Sequence, residues 1–185
     1  FREILSANID IDKNIANCLM TGLITDTGRF QYSNTDNEVF EIASKLMLSG
    51  AELTSISDNI YGSIPMNAIK LQSEVLNRIE LHEEEELVVS YVLQEDYLNY
   101  NIESSETDFL IDSIRLVKES SVALLLKEQE DKSFKGSLRS RNALDVQQIA
   151  SLFGGGGHKA ASGFSTNLSM EEIKNKVKNA IKSQV

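Results

Sequence analysis

The chain has 185 residues, room for one ordinary domain or two small ones, with a globular balance of 41% hydrophobic and 25% charged residues. Its net charge of −10 argues against a broad basic face that coats long nucleic acid, while leaving room for a small anion in a local basic pocket. No apolar run approaches the roughly 20 residues of a membrane helix, no secretory pattern opens the chain, and one cysteine excludes an internal disulfide framework, so a reducing cytoplasm is expected.

The first seventy residues carry helical spacing. Ile11, Ile15, Leu19 and Gly22 recur on one face, and Cys18 among them reads as buried packing. Leu23-Ile24 leads into Thr25-Asp26-Thr27-Gly28-Arg29-Phe30, where the aspartate fits a tight turn and, with further carboxylates or imidazoles nearby, would also suit a metal. Thr35 and Glu38 read as a capping box for a helix through Val39, Phe40, Ala43, Leu46 and Met47 that Gly50 stops. Leu53, Ile56 and Ile60 suggest a short helix, and Pro65 suits the first position of another carrying Ala68, Leu71, Val75 and Ile79.

The pattern then changes. Glu83 to Glu86 reads as a solvated turn beside an exposed His82, and Leu87 to Leu93 as a buried strand. A helix is expected over Thr107–Val117, and strands over Val122–Leu126 and Phe134–Arg139. Asp145 with Gln148 should cap a short helix ending at Phe153, and Ser169 with Glu172 a final one through Ile173, Val177, Ala180 and Ile181. Helices followed by mixed strands and helices imply an α/β (α+β) chain of two units, residues 1–62 and 83–185, joined by a linker helix over 63–82.

Two features carry chemistry. On the strand at Phe134, period 2 sends Phe134, Gly136 and Leu138 to one side and Lys135, Ser137 and Arg139 to the other, with Arg141 joining if the extension continues. That basic stripe is either a solvated face or a phosphate contact, since arginine matches phosphate oxygens bidentately. About a dozen residues on, Gly154-Gly155-Gly156-Gly157-His158-Lys159 frees the backbone of bulk and adds ionisable donors at its rim. A single glycine after Phe153 would also make a helix C-cap, and His158 could merely cap backbone groups. An anion-binding loop accounts better for a run so costly in conformational entropy. Lys159 is followed by Ala160, so this is no Walker A loop.

Together these segments resemble the DHH phosphoesterase family. Thr21 to Tyr32 is similar to the last metal-binding motif of its catalytic domain, Gly136 to Ser140 to a strand of its C-terminal substrate-binding domain, and Gly154 to Gly163 to that domain's signature. The resemblance implies the helical end of a catalytic lobe followed by a smaller mixed-sheet domain, and it is nearest the oligoribonuclease and 3′-phosphoadenosine 5′-phosphate (pAp) phosphatase type. It implies two manganese ions with Asp26 as one ligand. Arg139, Ser140, Arg141, Gly154, Gly155, Gly156, Gly157 and His158 would hold the substrate. The implied partners are short RNA oligonucleotides, pAp or linear or cyclic dinucleotides; a noncatalytic nucleotide- or RNA-binding module is the alternative, and a homodimer is left open. The family's earlier motifs, its Asp-His-His triplet included, are not in this sequence. These 185 residues alone are therefore expected to be inactive.

Overall fold

The computed structural model describes residues 10–32, 34–141 and 144–184. The chain divides into two compact units between Ile64 and Pro65. The first is helical: α1 (Lys13–Asp26), α2 (Asn37–Leu48) and α3 (Leu53–Tyr61) close over Ala16, Met20, Ile24, Leu46, Ala51 and Ile56. Ala16, Met20 and Ile24 stand at i, i+4, i+8, so residue 18 falls on the opposite side of α1. Cys18 is accordingly exposed, not buried as its apolar neighbours suggest. The cap of α2 is Asp36, whose Oδ1 accepts from the Val39 N–H at 3.0 Å, one residue later than the expected Thr35. An aspartate already suited to N-capping stands there and leaves Thr35 outside the helix.

The second unit is a six-stranded sheet between two helical layers. Its elements are α4 (Met66–Asn77), β1 (Glu80–His82), β2 (Leu87–Val92), α5 (Gln94–Tyr100), α6 (Leu110–Ile114), β3 (Val122–Glu128), β4 (Phe134–Ser140), α7 (Val146–Ser151), β5 (Gly156–His158), β6 (Ala161–Thr166) and α8 (Met170–Lys182). Strand order is β1-β2-β3-β4-β6-β5, antiparallel throughout except for the β2–β3 pair. That parallel pair needs a crossover, which α5 and α6 supply. The segment expected as a linker, 63–82, holds α4 and β1 of this unit, with Pro65 as the residue preceding α4.

β3 explains the layering. Leu124 and Leu126 enter a core with α7 and α8, while Ala123 and Leu125 enter a second core with α4, α5 and α6. A strand buried on both faces reads as a continuous apolar run, and Val122-Ala123-Leu124-Leu125-Leu126 is one. The caps expected for the last two helices form. Asp145 accepts from the N–H groups of Gln147 and Gln148, and Ser169 and Glu172 make a reciprocal box. The expected helix over 107–117 is instead a 3-10 turn at Ser104–Thr107 followed by the short α6. His82 is not a surface residue: it lies half-buried in β1, with its Nε2 3.8 Å from a Glu80 carboxylate oxygen, and burial pushes its imidazole pKa down. Within the expected solvated turn, Glu85 is buried and receives Lys182 at 2.8 Å.

Candidate substrate-binding platform

The glycine run is built into the sheet. Gly154 (φ +75°) ends α7: its N–H donates to the Ser151 carbonyl and that of Gly155 to the Ala150 carbonyl, both at 3.0 Å. This is the paired pattern that a left-handed glycine after a helix makes possible. Gly155 and Gly157 serve close backbone packing. A Cβ at Gly155 would lie 2.2 Å from the Gly163 carbonyl oxygen, and one at Gly157 (φ +141°) 2.6 Å from that of Ala161. Gly156 to His158 then form β5, an edge strand paired with β6. Of these four glycines, only Gly156 has neither a positive φ nor a neighbour within 4 Å that would forbid a side chain.

Register decides what the run faces. Paired residues in antiparallel strands put their side chains on the same side. Arg139 of β4 pairs with Ala161 of β6, which pairs with His158 of β5. The next row is Ser137, Gly163 and Gly156, and the one beyond it Lys135 and Ser165. This is the face that α4, α5 and α6 cover along β2 and β3. Along β4, β6 and β5 it opens: Ser137, Arg139, Ala161 and Gly163 are half-buried, and Lys135, Gly156, His158 and Ser165 are exposed. The opposite face is filled by Phe164, stacked on Phe153 at 4.1 Å, with Gly136 leaving room for its ring. The result is a low floor of small residues with Arg139 at one side and His158 about 10 Å away, two strand spacings across.

Beside Arg139 the sheet ends in a hollow lined by Arg115, Ser120, Ser121, Arg139, Ser140 and Arg141. Arg139 donates one guanidinium N–H to the Leu138 carbonyl at 3.0 Å, and Arg141 one to the Val117 carbonyl at 3.2 Å. Ser140 has committed its hydroxyl to the Leu144 carbonyl. Among the described residues the His158 imidazole has no hydrogen-bond partner, and the side chain caps no backbone group. Arg115 was not singled out from the sequence: it sits at the C-terminal end of α6, and only the packing of that helix on the sheet brings it here.

Asp26 belongs to the first unit and is the last residue of α1. Its carboxylate is exposed, and the turn after it is braced by Thr27. That hydroxyl donates to the Leu23 carbonyl at 2.6 Å and accepts from the Phe30 N–H at 3.1 Å. Gly28, Arg29 and Phe30 follow with φ of +55°, +60° and +63°, and Arg29 lies over the Tyr61 ring at 3.8 Å. Among the described residues no three His, Cys, Asp or Glu side chains come together in a way that could hold a metal ion. Among the described residues Asp26 therefore stands without the further ligands that a manganese pair would need.

Residues 84–183 match the family of the DHHA1 domain. The chain belongs to the DHHA1 family. The DHHA1 match takes in the sheet from β2 onward, the platform and α8. Similar proteins extend the likeness upstream. One is the bifunctional oligoribonuclease and PAP phosphatase NrnA of Thermus thermophilus, 33% identical over 92% of this chain and 51% of that protein. Another is the probable enzyme of the same name from Streptococcus mutans, 27% identical over 96% of this chain and 57% of that protein. Among solved structures, an exopolyphosphatase-related protein from Bacteroides fragilis superposes with a TM-score of 0.90 at 26% identity, covering 99% of this chain and 54% of that one. The chain thus spans about half the length of the relatives it matches, and the resemblance to the DHH phosphoesterases holds.

Proposed function

We propose that this chain is the substrate-holding part of a cytoplasmic, metal-dependent phosphoesterase that acts on short oligoribonucleotides and pAp. The observation that carries the reading is the row Arg139–Ala161–His158 on the open half of the sheet. Arg139 grips a terminal phosphate with the guanidinium N–H groups not used on Leu138, and His158 donates from the far side. Gly156 lets the ligand approach the strand closely, and Ala161 and Gly163 leave height above the sheet for a ribose and base. Arg141, on the strand extension beyond Arg139, adds positive charge beside the phosphate. The names of the Thermus and Streptococcus relatives support this substrate class. Asp26 would supply one oxygen ligand to the manganese centre, with further ligands from outside the described residues.

The test is direct titration of pAp, a linear diribonucleotide and cyclic di-AMP into the 185-residue chain and its Arg139→Ala and His158→Ala variants. Loss of a charged hydrogen bond is worth about 1.5–3 kcal/mol, so Arg139→Ala should weaken pAp binding roughly 10- to 100-fold. Unchanged affinity in both variants would remove the platform as the binding site.

A further inference from the structure

The open half of the sheet has a second basic end. Lys135 shares a face with Arg139, four residues along β4, and pairs with Ser165 on one side and Lys127 of β3 on the other. Two lysines directly opposite one another repel, and such a pair persists only with compensation. Lys127 has it. Its ammonium is 1% exposed and donates to Asp108 Oδ1 at 2.6 Å and to the Ser104 carbonyl at 3.4 Å. Asp108 is thereby committed to the buried lysine. Lys135 stays exposed and, among the described residues, has no ion-pair partner. Burial works against the Asp108 carboxylate, but its hydrogen bond and ion pair with Lys127, helped by the positive charges of Lys135 and Arg139, hold its pKa below the usual range.

The spacing is informative. Four residues of strand cover about 14 Å, and side chains stand roughly perpendicular to a sheet, so the two positive heads are held well apart. On β4, β6 and β5 the row between them is Ser137, Gly163 and Gly156, which leaves the path along the floor low. The two phosphates of pAp sit on one ribose and are too close together to meet both ends.

We propose that Lys135, with the hydroxyl of Ser165, is a second phosphate contact of the platform, receiving a phosphate two or more nucleotides removed from the one that Arg139 holds. The platform then measures oligonucleotide length by the distance between its two basic ends. This rests on the substrate-binding reading above and adds to it a residue that acts only on longer ligands.

The experiment titrates pAp and 5′-phosphorylated di-, tri- and tetraribonucleotides into the 185-residue chain and its Lys135→Ala, Lys135→Arg and Arg139→Ala variants, between 50 and 200 mM salt. Thermal melts verify that each variant folds. Lys135→Ala should leave pAp within about twofold, weaken the tri- and tetranucleotides roughly 3- to 10-fold, and flatten their salt dependence by about 0.7 in log–log slope; Lys135→Arg should restore both. If Arg139→Ala weakens pAp while Lys135→Ala weakens nothing, or weakens pAp as much as the tetranucleotide, the length-measuring contact is wrong and the platform stands. If Arg139→Ala binds pAp like the unaltered chain, the platform itself is wrong, and this inference falls with it.

Discussion

The four glycines should separate into three classes when each is replaced by alanine. At Gly155 and Gly157 the new methyl meets carbonyl oxygens of β6 at 2.2 and 2.6 Å, backbone atoms that cannot step aside without opening the hairpin. Optimal carbon contacts are about 3.5–4.0 Å, so the overlap exceeds what side-chain adjustment absorbs, and a loss of about 2–4 kcal/mol is expected at each. Gly154 has open space but φ of +75°, a backbone strain worth about 1 kcal/mol for alanine. Gly156 has neither constraint, and its alanine variant should match the parent or gain up to about 1 kcal/mol through the unfolded chain. Thermal unfolding by circular dichroism reads these differences at about 2–4 °C per kcal/mol for a chain of this size. Titration with pAp then adds a second axis. Gly156→Ala raises the floor where the ligand lies, so it should bind about tenfold more weakly while melting normally. A Gly156→Ala chain as unstable as Gly155→Ala would refute the assignment of the run to two jobs. So would a Gly155→Ala chain that melts like the parent.

Two further outcomes test the second unit. Asp96 is 3% exposed and clamped by both terminal nitrogens of Arg78, at 2.5 and 2.9 Å, with the Leu93 N–H at 2.7 Å. Burial opposes its charge, but the guanidinium and the N–H outweigh it and hold the carboxyl below the usual range. This stabilisation is therefore complete above the unfolded pKa near 3.9 and disappears as pH falls through the lower native value. Asp96→Asn should cost about 2–3 kcal/mol at neutral pH and flatten the acid limb of a stability–pH curve; an unchanged limb would contradict the clamp. The Lys127–Asp108 pair should respond asymmetrically. Asp108→Ala strands a buried ammonium and should cost about 3 kcal/mol in urea unfolding, whereas Lys127→Met replaces it with an apolar chain and leaves an exposed carboxylate, at little cost. Equal losses in the two variants would mean that the lysine is not desolvated.

Much of the sheet was legible because its signals are local. The run at Val122 to Leu126 announces burial on two sides, the alternation from Phe134 to Arg139 assigns each side chain its face, and Asp145 and Ser169 mark helix starts by their own hydrogen bonds. β5 and β6 were not read as strands. Gly156-Gly157-His158 has no apolar alternation, and its pairing depends on contacts with Gly163 and Ala161 that appear only once the hairpin closes. For the same reason the run read as an anion-binding loop and not as a strand, although the C-cap considered for it does form at Gly154. Site residues carried by one strand, such as Arg139, could be placed by period alone. Arg115 could not, because a helix of five residues has too few positions to define a face.

β5 is also the last strand of its sheet and only three residues long. An edge strand invites pairing with a strand of another molecule, and here such pairing would lie alongside the row that ends in His158. Three residues, two of them glycine, give an incoming strand few ladder bonds and little side-chain surface to grip. The sequence that keeps the platform low thus also keeps its border from being capped by a neighbouring chain. A protein could lengthen β5 to strengthen the sheet only by making that border adhesive.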